Sequence, residues 1–229
     1  PSHATGRVDV QLDAQGVPEF NIRKDAAYDY IDFTSPLESH IHNCSLLYYG
    51  TLVQRTDHGF KIIQQILSTR PPHLKCFYDV NLRPDGFSKQ VLRESLKHAD
   101  ILKLNEEELT LISKMLGGKH HTEGGINDLR EHFNIEMIAL TRGSKGSTLF
   151  TDSGRYDSPT IHVKNLVDTV GAGDAFASVL VAGYLKQLTP KRTLSAASSL
   201  AARICSIEGA IPDNRVIYED IIQLIEKGA

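Results

Sequence analysis

The chain is poor in what many functional classes depend on. It has 3 cysteines in 229 residues, Cys44, Cys76 and Cys205, odd in number and far apart. That excludes a disulfide framework and any paired CxxC zinc site, and a reducing cytoplasm is the compartment expected. There is no surplus of one charge: 25 basic residues against 28 acidic give a formal net charge of -3. Without a basic excess the counterion-release term of nucleic-acid binding is missing, so no nucleic-acid partner is expected. No apolar run approaches the ~20 residues needed to cross a bilayer, and the opening PSHATGRVDV has no signal-peptide pattern, so no membrane partner is expected either. Repeats, low-complexity tracts and Pro/Gly/Ser linkers are absent too. What remains, with 41% hydrophobic content, is enough for one well-buried core.

Residues 7 to 23 alternate, with Val8, Val10 and Leu12 on one face, a turn at Asp13–Gly16, then Phe20 and Ile22. This predicts a β-hairpin. From Ser45 the rhythm changes. Short apolar runs, Ser45–Tyr49, Phe77–Val80, Ile101–Leu104 and Met137–Leu140, read as strands buried on both faces. Between them Phe60, Ile63, Ile66 and Leu67, then Val91, Leu92 and Leu96, then Leu109, Ile112 and Met115 each mark one helix face. Such alternation predicts crossover connections and a parallel sheet covered by helices. The last third predicts helices over Ala172–Leu188, Thr193–Ser206 and Tyr218–Glu226, with Thr189-Pro190 as a helix start. The small residues Ala196, Ala197, Ala201 and Ala202 would let the second of these approach a neighbour closely. The expected division is a hairpin in 1–27, contributing to a lid, and an α/β domain in 28–229.

The segment richest in chemistry is Asp168-Thr169-Val170-Gly171-Ala172-Gly173-Asp174-Ala175-Phe176. Two glycines at a helix entrance free backbone N–H groups to face an anion, and the helix dipole adds attraction. Neither GxxxxGK[ST] nor a third glycine for a dinucleotide fingerprint is present. The result is an anion cradle with a carboxylate in its first turn, suited to take a proton from an attacking hydroxyl while nearby amides hold charge on a phosphoryl group.

This stretch resembles the DTxGAGDxF signature of the ribokinase-like (PfkB-type) carbohydrate kinases, matched without a gap. The resemblance implies a three-layer α/β/α sandwich with a mostly parallel sheet and a small β lid. It implies that Asp174 is the catalytic base, that Gly171, Ala172 and Gly173 form the anion hole, and that Asp168 and the Val170 carbonyl hold a monovalent cation, usually potassium. Three further segments agree. Asn105 and Glu108 resemble the family's NxxE element, which organises hydrated magnesium and the phosphates, although Glu106–Glu108 also suit a helix's acidic first turn. Thr141, Gly143 and Gly146 resemble its ATP-phosphate loop, and equally an ordinary hairpin turn. Asp79, Asn81 and Arg83 form a DxNxR segment like that of fructokinase-like and 2-keto-3-deoxygluconate kinase-like members, where it faces sugar and phosphate; the alternative is Arg83 paired with a surface carboxylate. Gly209, in Glu208-Gly209-Ala210, resembles the turn bordering the adenine and cation sites. His40-Ile41-His42 has metal-like letters without a second ligand pair, and His120-His121 reads as a surface loop.

The resemblance aligns with the later part of a full-length member, without the opening strand and the Gly-Gly sugar-recognition segment. An open sheet edge or a partner-covered surface is therefore expected. The implied activity is ATP-dependent phosphorylation of a sugar, fructose-like first, with a homodimer through the hairpin as a further expectation. The alternative is a non-catalytic nucleotide- or sugar-binding module derived from such a kinase.

Overall fold

A computed structural model describes residues 3–12, 18–84, 86–118 and 122–227. The strands β1 (Val8–Leu12) and β2 (Pro18–Ile22) form the expected antiparallel hairpin, pairing Val8 with Ile22 and Val10 with Phe20. The expected turn at Asp13–Gly16 and the expected loop at His120-His121 lie outside the described residues. After the hairpin come α1 (Ser35–Asn43), β3 (Leu46–Gly50), α2 (Asp57–Thr69), β4 (Lys75–Asp79), α3 (Lys89–His98), β5 (Ile101–Asn105), α4 (Glu106–Leu116) and α5 (Thr122–Phe133). The chain continues through β6 (Met137–Thr141), β7 (Ser147–Thr151), β8 (Gly154–Ser158), α6 (Ala172–Leu185), α7 (Pro190–Ile204) and α8 (Glu219–Glu226). His40 and His42 lie in the last turn of α1, and among the described residues no cluster of three metal-ligating side chains forms.

Strands β3 to β8 make one sheet in sequence order: β3 to β6 run parallel, and β7 and β8 return antiparallel. Helical connections, which parallel neighbours need, place each new parallel strand beside the last. Successive strand side chains point to opposite faces. Tyr78, Val80, Leu102, Leu104, Ile138 and Leu140 therefore meet α2 to α5 on one face, while Phe77, Ile101 and Ala139 meet α6, α7 and α8 on the other. This is a three-layer α/β/α arrangement. The central strands β4, β5 and β6 are buried on both faces as their apolar runs predict, but β3 is not: it has one neighbour, and Tyr48 is 45% exposed. Among the described residues β3 is an open edge of the sheet. No helix among them is long and apolar enough to cross a membrane.

Candidate active site

Parallel strands point their C-terminal ends the same way, and ligand-contacting loops gather there. Four of the predicted segments follow the ends of β4, β5 and β6 or enter α6, and the fold brings them together.

Gly171 caps α6 with φ +80, a left-handed conformation that favours glycine, and a Cβ there would stand 2.5 Å from the Ala210 Cβ and 2.7 Å from its Cα. The Gly209–Ala210 turn is thus pressed against the glycine loop. Asp168 ties the same two segments: its carboxylate accepts from the Val170 N–H at 3.0 Å and the Gly209 N–H at 3.3 Å. The Val170 N–H, above all, holds the Asp168 carboxyl below its ordinary range. Val167 and Asp168 also donate to the Cys205 carbonyl, at 2.9 and 3.4 Å. Among the described residues the N–H groups of Gly171, Gly173 and Asp174 have no protein acceptor, whereas Ala172 donates to the Thr169 carbonyl at 3.3 Å. Three unpaired donors at the positive end of a helix form a site for an anion. Asp174 stands in that first turn, exposed and free of any protein hydrogen bond.

Asn105 caps α4. Its Oδ1 accepts from the Glu108 N–H, and Glu108 Oε2 accepts from the Asn105 N–H, both at 2.8 Å. The reciprocal pair is a capping box. The other Glu108 oxygen accepts from the Leu82 N–H at 2.8 Å, so this carboxylate fastens the Asp79–Arg83 loop to α4. Burial pushes the Glu108 carboxyl up, against the pull of these two amides and of Lys103. One lone pair on each Glu108 oxygen and one on Asn105 Oδ1 remain open among the described residues. That donor set suits a hydrated divalent cation, since magnesium keeps several waters and takes few carboxylates.

Within the DxNxR segment, Asp79 is 2% exposed and lies beneath the surface. Its oxygens are held by Lys103 Nζ at 2.9 and 2.8 Å, and Tyr48 Oη donates to Oδ2 at 2.7 Å. Asn81 and Arg83 are exposed on the loop above, Asn81 with φ +35; the Arg83 carbonyl accepts from the Gly86 N–H at 3.0 Å, and among the described residues its guanidinium has no partner.

Beside the helix entrance opens a cavity of about 430 Å³. Thr141, Gly143, Gly146, Ala172 and Gly173 all line it, so the expected nucleotide loop and the expected anion hole open onto one space. Gly146, with φ +89, lies where a Cβ would collide with the Ser158 carbonyl. The Thr141 hydroxyl donates to the Leu104 carbonyl at 3.4 Å. Residues that the sequence did not assign to a site complete the lining: Phe176, Ser198, Ala201, Ala202 and Cys205 among them. The alanine pairs of α7 carried a signal, which read as helix packing; Ala196 and Ala197 pack in the core, Ala201 packs against it and also lines the cavity, and Ala202 lines the cavity.

The class these features define is the ribokinase-like α/β fold: a putative ribokinase of Escherichia coli superposes with a TM-score of 0.80 at 21% identity, covering 99% of this chain and 73% of that one. The family follows. The model of the pfkB family carbohydrate kinases matches residues 3–216, and the chain belongs to that family. It is 29% identical to a putative sugar kinase of Pyrococcus horikoshii over 188 residues, 80% of this chain and 56% of that relative. The structure of that kinase in complex with ATP superposes with a TM-score of 0.74 at 27% identity over 91% of this chain and 67% of that one. A fructokinase of Salmonella typhimurium is 28% identical over 225 residues, 91% of this chain and 70% of the fructokinase.

Proposed function

We propose that this chain carries the nucleotide site and catalytic centre of an ATP-dependent sugar kinase. The observation that carries the reading is the placement of Asp174: an unpaired carboxylate in the first turn of α6, beside three unpaired N–H donors and the mouth of the 430 Å³ cavity. In this reading the Asp174 carboxylate takes the proton of a primary sugar hydroxyl. The hydroxyl oxygen attacks the γ-phosphorus in line, the bond to the β-phosphate oxygen breaks, and ADP leaves. The Gly171, Gly173 and Asp174 amides face the charge that builds on the phosphoryl oxygens. The adenine occupies the cavity lined by Phe176, Ala201 and Ala202, with Thr141, Gly143 and Gly146 along the phosphates.

Arg83, whose guanidinium has no partner among the described residues, presents its fork to the γ-phosphate or to a substrate carboxylate, with Asn81 on the same loop. Magnesium, held through its waters by Glu108 and Asn105, would supply charge neutralisation at the phosphates. Potassium would sit at the Asp168 carboxylate and the Val170 carbonyl and hold the glycine loop in shape. A fructose-like substrate is favoured by the DxNxR segment and by the fructokinase relative.

The test is ADP release by the full-length protein with fructose, ribose, 2-keto-3-deoxygluconate and adenosine, with and without potassium, for wild type and Asp174→Asn. Turnover on a sugar, reduced about 10²–10⁴-fold in Asp174→Asn with ATP still bound, is the expected result. Wild-type turnover that survives the substitution unchanged removes Asp174 from the chemistry, and ATP binding without turnover on any acceptor replaces the kinase by a binding module.

A further inference from the structure

The sheet face beneath α6 changes character along its length. Phe77, Ile101 and Ala139 pack against α6 and α7, but two residues further on the same face carries Asp79 and Lys103, direct neighbours in the β4–β5 register. Both are buried, Lys103 at 8% exposure, and both Asp79 oxygens bind the ammonium. Tyr48 reaches the same carboxylate from the edge strand.

An ion pair of this kind is weak as a stabilising device, because desolvation offsets the attraction and an apolar pair would serve the core as well. Its position is also adverse. Lys103 Nζ lies 3.7 Å from where a Cβ of Gly173 would stand, beside the first turn of α6. A cation there opposes the positive end of the helix dipole. The arrangement becomes favourable once an anion occupies the helix end, since the ammonium, the dipole and the free amides then act on it together. Gly173 without a side chain leaves the path between ammonium and helix entrance open. Two further charges act on this network: Glu108 from α4, whose carboxyl Lys103 pulls down against burial, and Asp174 from α6, whose charge reaches the Tyr48 phenol.

We propose that Lys103 is the buried electrostatic anchor of the anion site, holding the nucleotide phosphates and the phosphoryl group in transfer at the end of α6. Asp79 and Tyr48 fix its ammonium in place. The inference rests on the phosphotransfer reading above and gives Asp79 the role of positioning Lys103, not of touching sugar.

The experiment compares full-length wild type with Lys103→Met, Asp79→Asn and the charge-free double variant, titrated with ATP plus magnesium and, separately, with adenosine, alongside thermal melts and turnover. Loss of one charge-assisted contact predicts that Lys103→Met weakens ATP binding about tenfold or more and leaves adenosine affinity within about twofold. Asp79→Asn leaves an uncompensated ammonium, so ATP affinity is kept or increased and ATP raises its melting temperature more than that of wild type. The double variant, with no buried charge to strand, folds and binds ATP as Lys103→Met does. A purely structural ion pair gives the opposite pattern: both single variants melt earlier, and ATP and adenosine affinities move together or not at all. Should Asp79→Asn not fold, Lys103→Met and the double variant decide. A wild type that binds ATP but phosphorylates nothing overturns the kinase reading while the ATP-to-adenosine ratio still judges Lys103; a Lys103→Met protein that binds ATP normally beside an active wild type overturns the anchor alone.

Discussion

Gly171 is where the site depends most directly on one residue's lack of a side chain. Its φ of +80 costs an L-residue about 1–2 kcal/mol. A Cβ 2.5–2.7 Å from Ala210 forces a backbone displacement, and overpacking of this kind costs ~1–3 kcal/mol more. Gly143 offers the comparison, because at φ +53 it has open space around its missing Cβ. Gly171→Ala should therefore lower the melting temperature more than Gly143→Ala and abolish ATP binding, since the unpaired amides of α6 would no longer converge. Calorimetric melts and ATP titration of the two variants check this; equal effects would show that the Ala210 contact does not set the loop. The candidate anion site was legible in the sequence at this scale because its parts are contiguous: Asp168 to Phe176 carry cap, amides and carboxylate in nine residues. The Tyr48–Asp79–Lys103 network was not, because three residues on three strands meet only once the register is known.

Short elements are held to the sheet by particular side chains, and the hairpin shows how. Its base continues into a 3-10 turn at Ala27–Tyr30, where Asp29, 2% exposed, accepts from Arg55 at 2.8 and 2.6 Å. Arg55 also donates to the Arg23 carbonyl at 2.8 Å, fastening β2 to the segment before α2. Removing one partner of a buried pair strands the other, so Asp29→Ala should cost about 3 kcal/mol. The Arg55 hydrogen bond holds the Asp29 carboxyl below its ordinary value. For a depressed carboxyl the stabilisation is complete above the unfolded pKa near 4, and it fades as pH falls through the lower folded value. Urea unfolding against pH should show the wild type losing this contribution in that acidic window and Asp29→Ala showing no such loss; parallel profiles would deny the pair its role. Where elements escaped the sequence, packing had overridden local preference. Helix α5 carries Gly124-Gly125 in its interior, and buried Ile126 and Leu129 hold it. Strand β8 has only Ser158 buried, and α1 only Ile41, so neither shows an apolar period long enough to read. The strands Ile101–Asn105 and Met137–Thr141 were legible because both their faces are covered.

At the scale of the whole molecule the sheet is unevenly protected. The side chains of Phe77, Tyr78, Ile101, Leu102, Ile138, Ala139 and Leu140 are fully buried, and their strands have neighbours on both sides. Strand β3 has β4 on one side and, among the described residues, nothing on the other. Amides opening only with global unfolding belong to the first group, while an uncovered edge exchanges by local fluctuation. Hydrogen exchange of this 229-residue chain at low concentration should therefore give its slowest amides in β4, β5 and β6, and fast exchange for the β3 amides not bonded to β4. An open strand is also a template for pairing, so protection of those β3 amides should rise with protein concentration, together with an increase in scattering mass. Slow exchange at β3 in the most dilute samples would mean that the edge is covered within the monomer. Because Tyr48 lies on β3 and holds Asp79, closing this edge would also stiffen the Asp79–Lys103 pair beneath α6. ATP affinity should then rise over the concentrations at which β3 becomes protected, and Tyr48→Phe should flatten that rise; an affinity that stays constant while protection increases would uncouple the edge from the site.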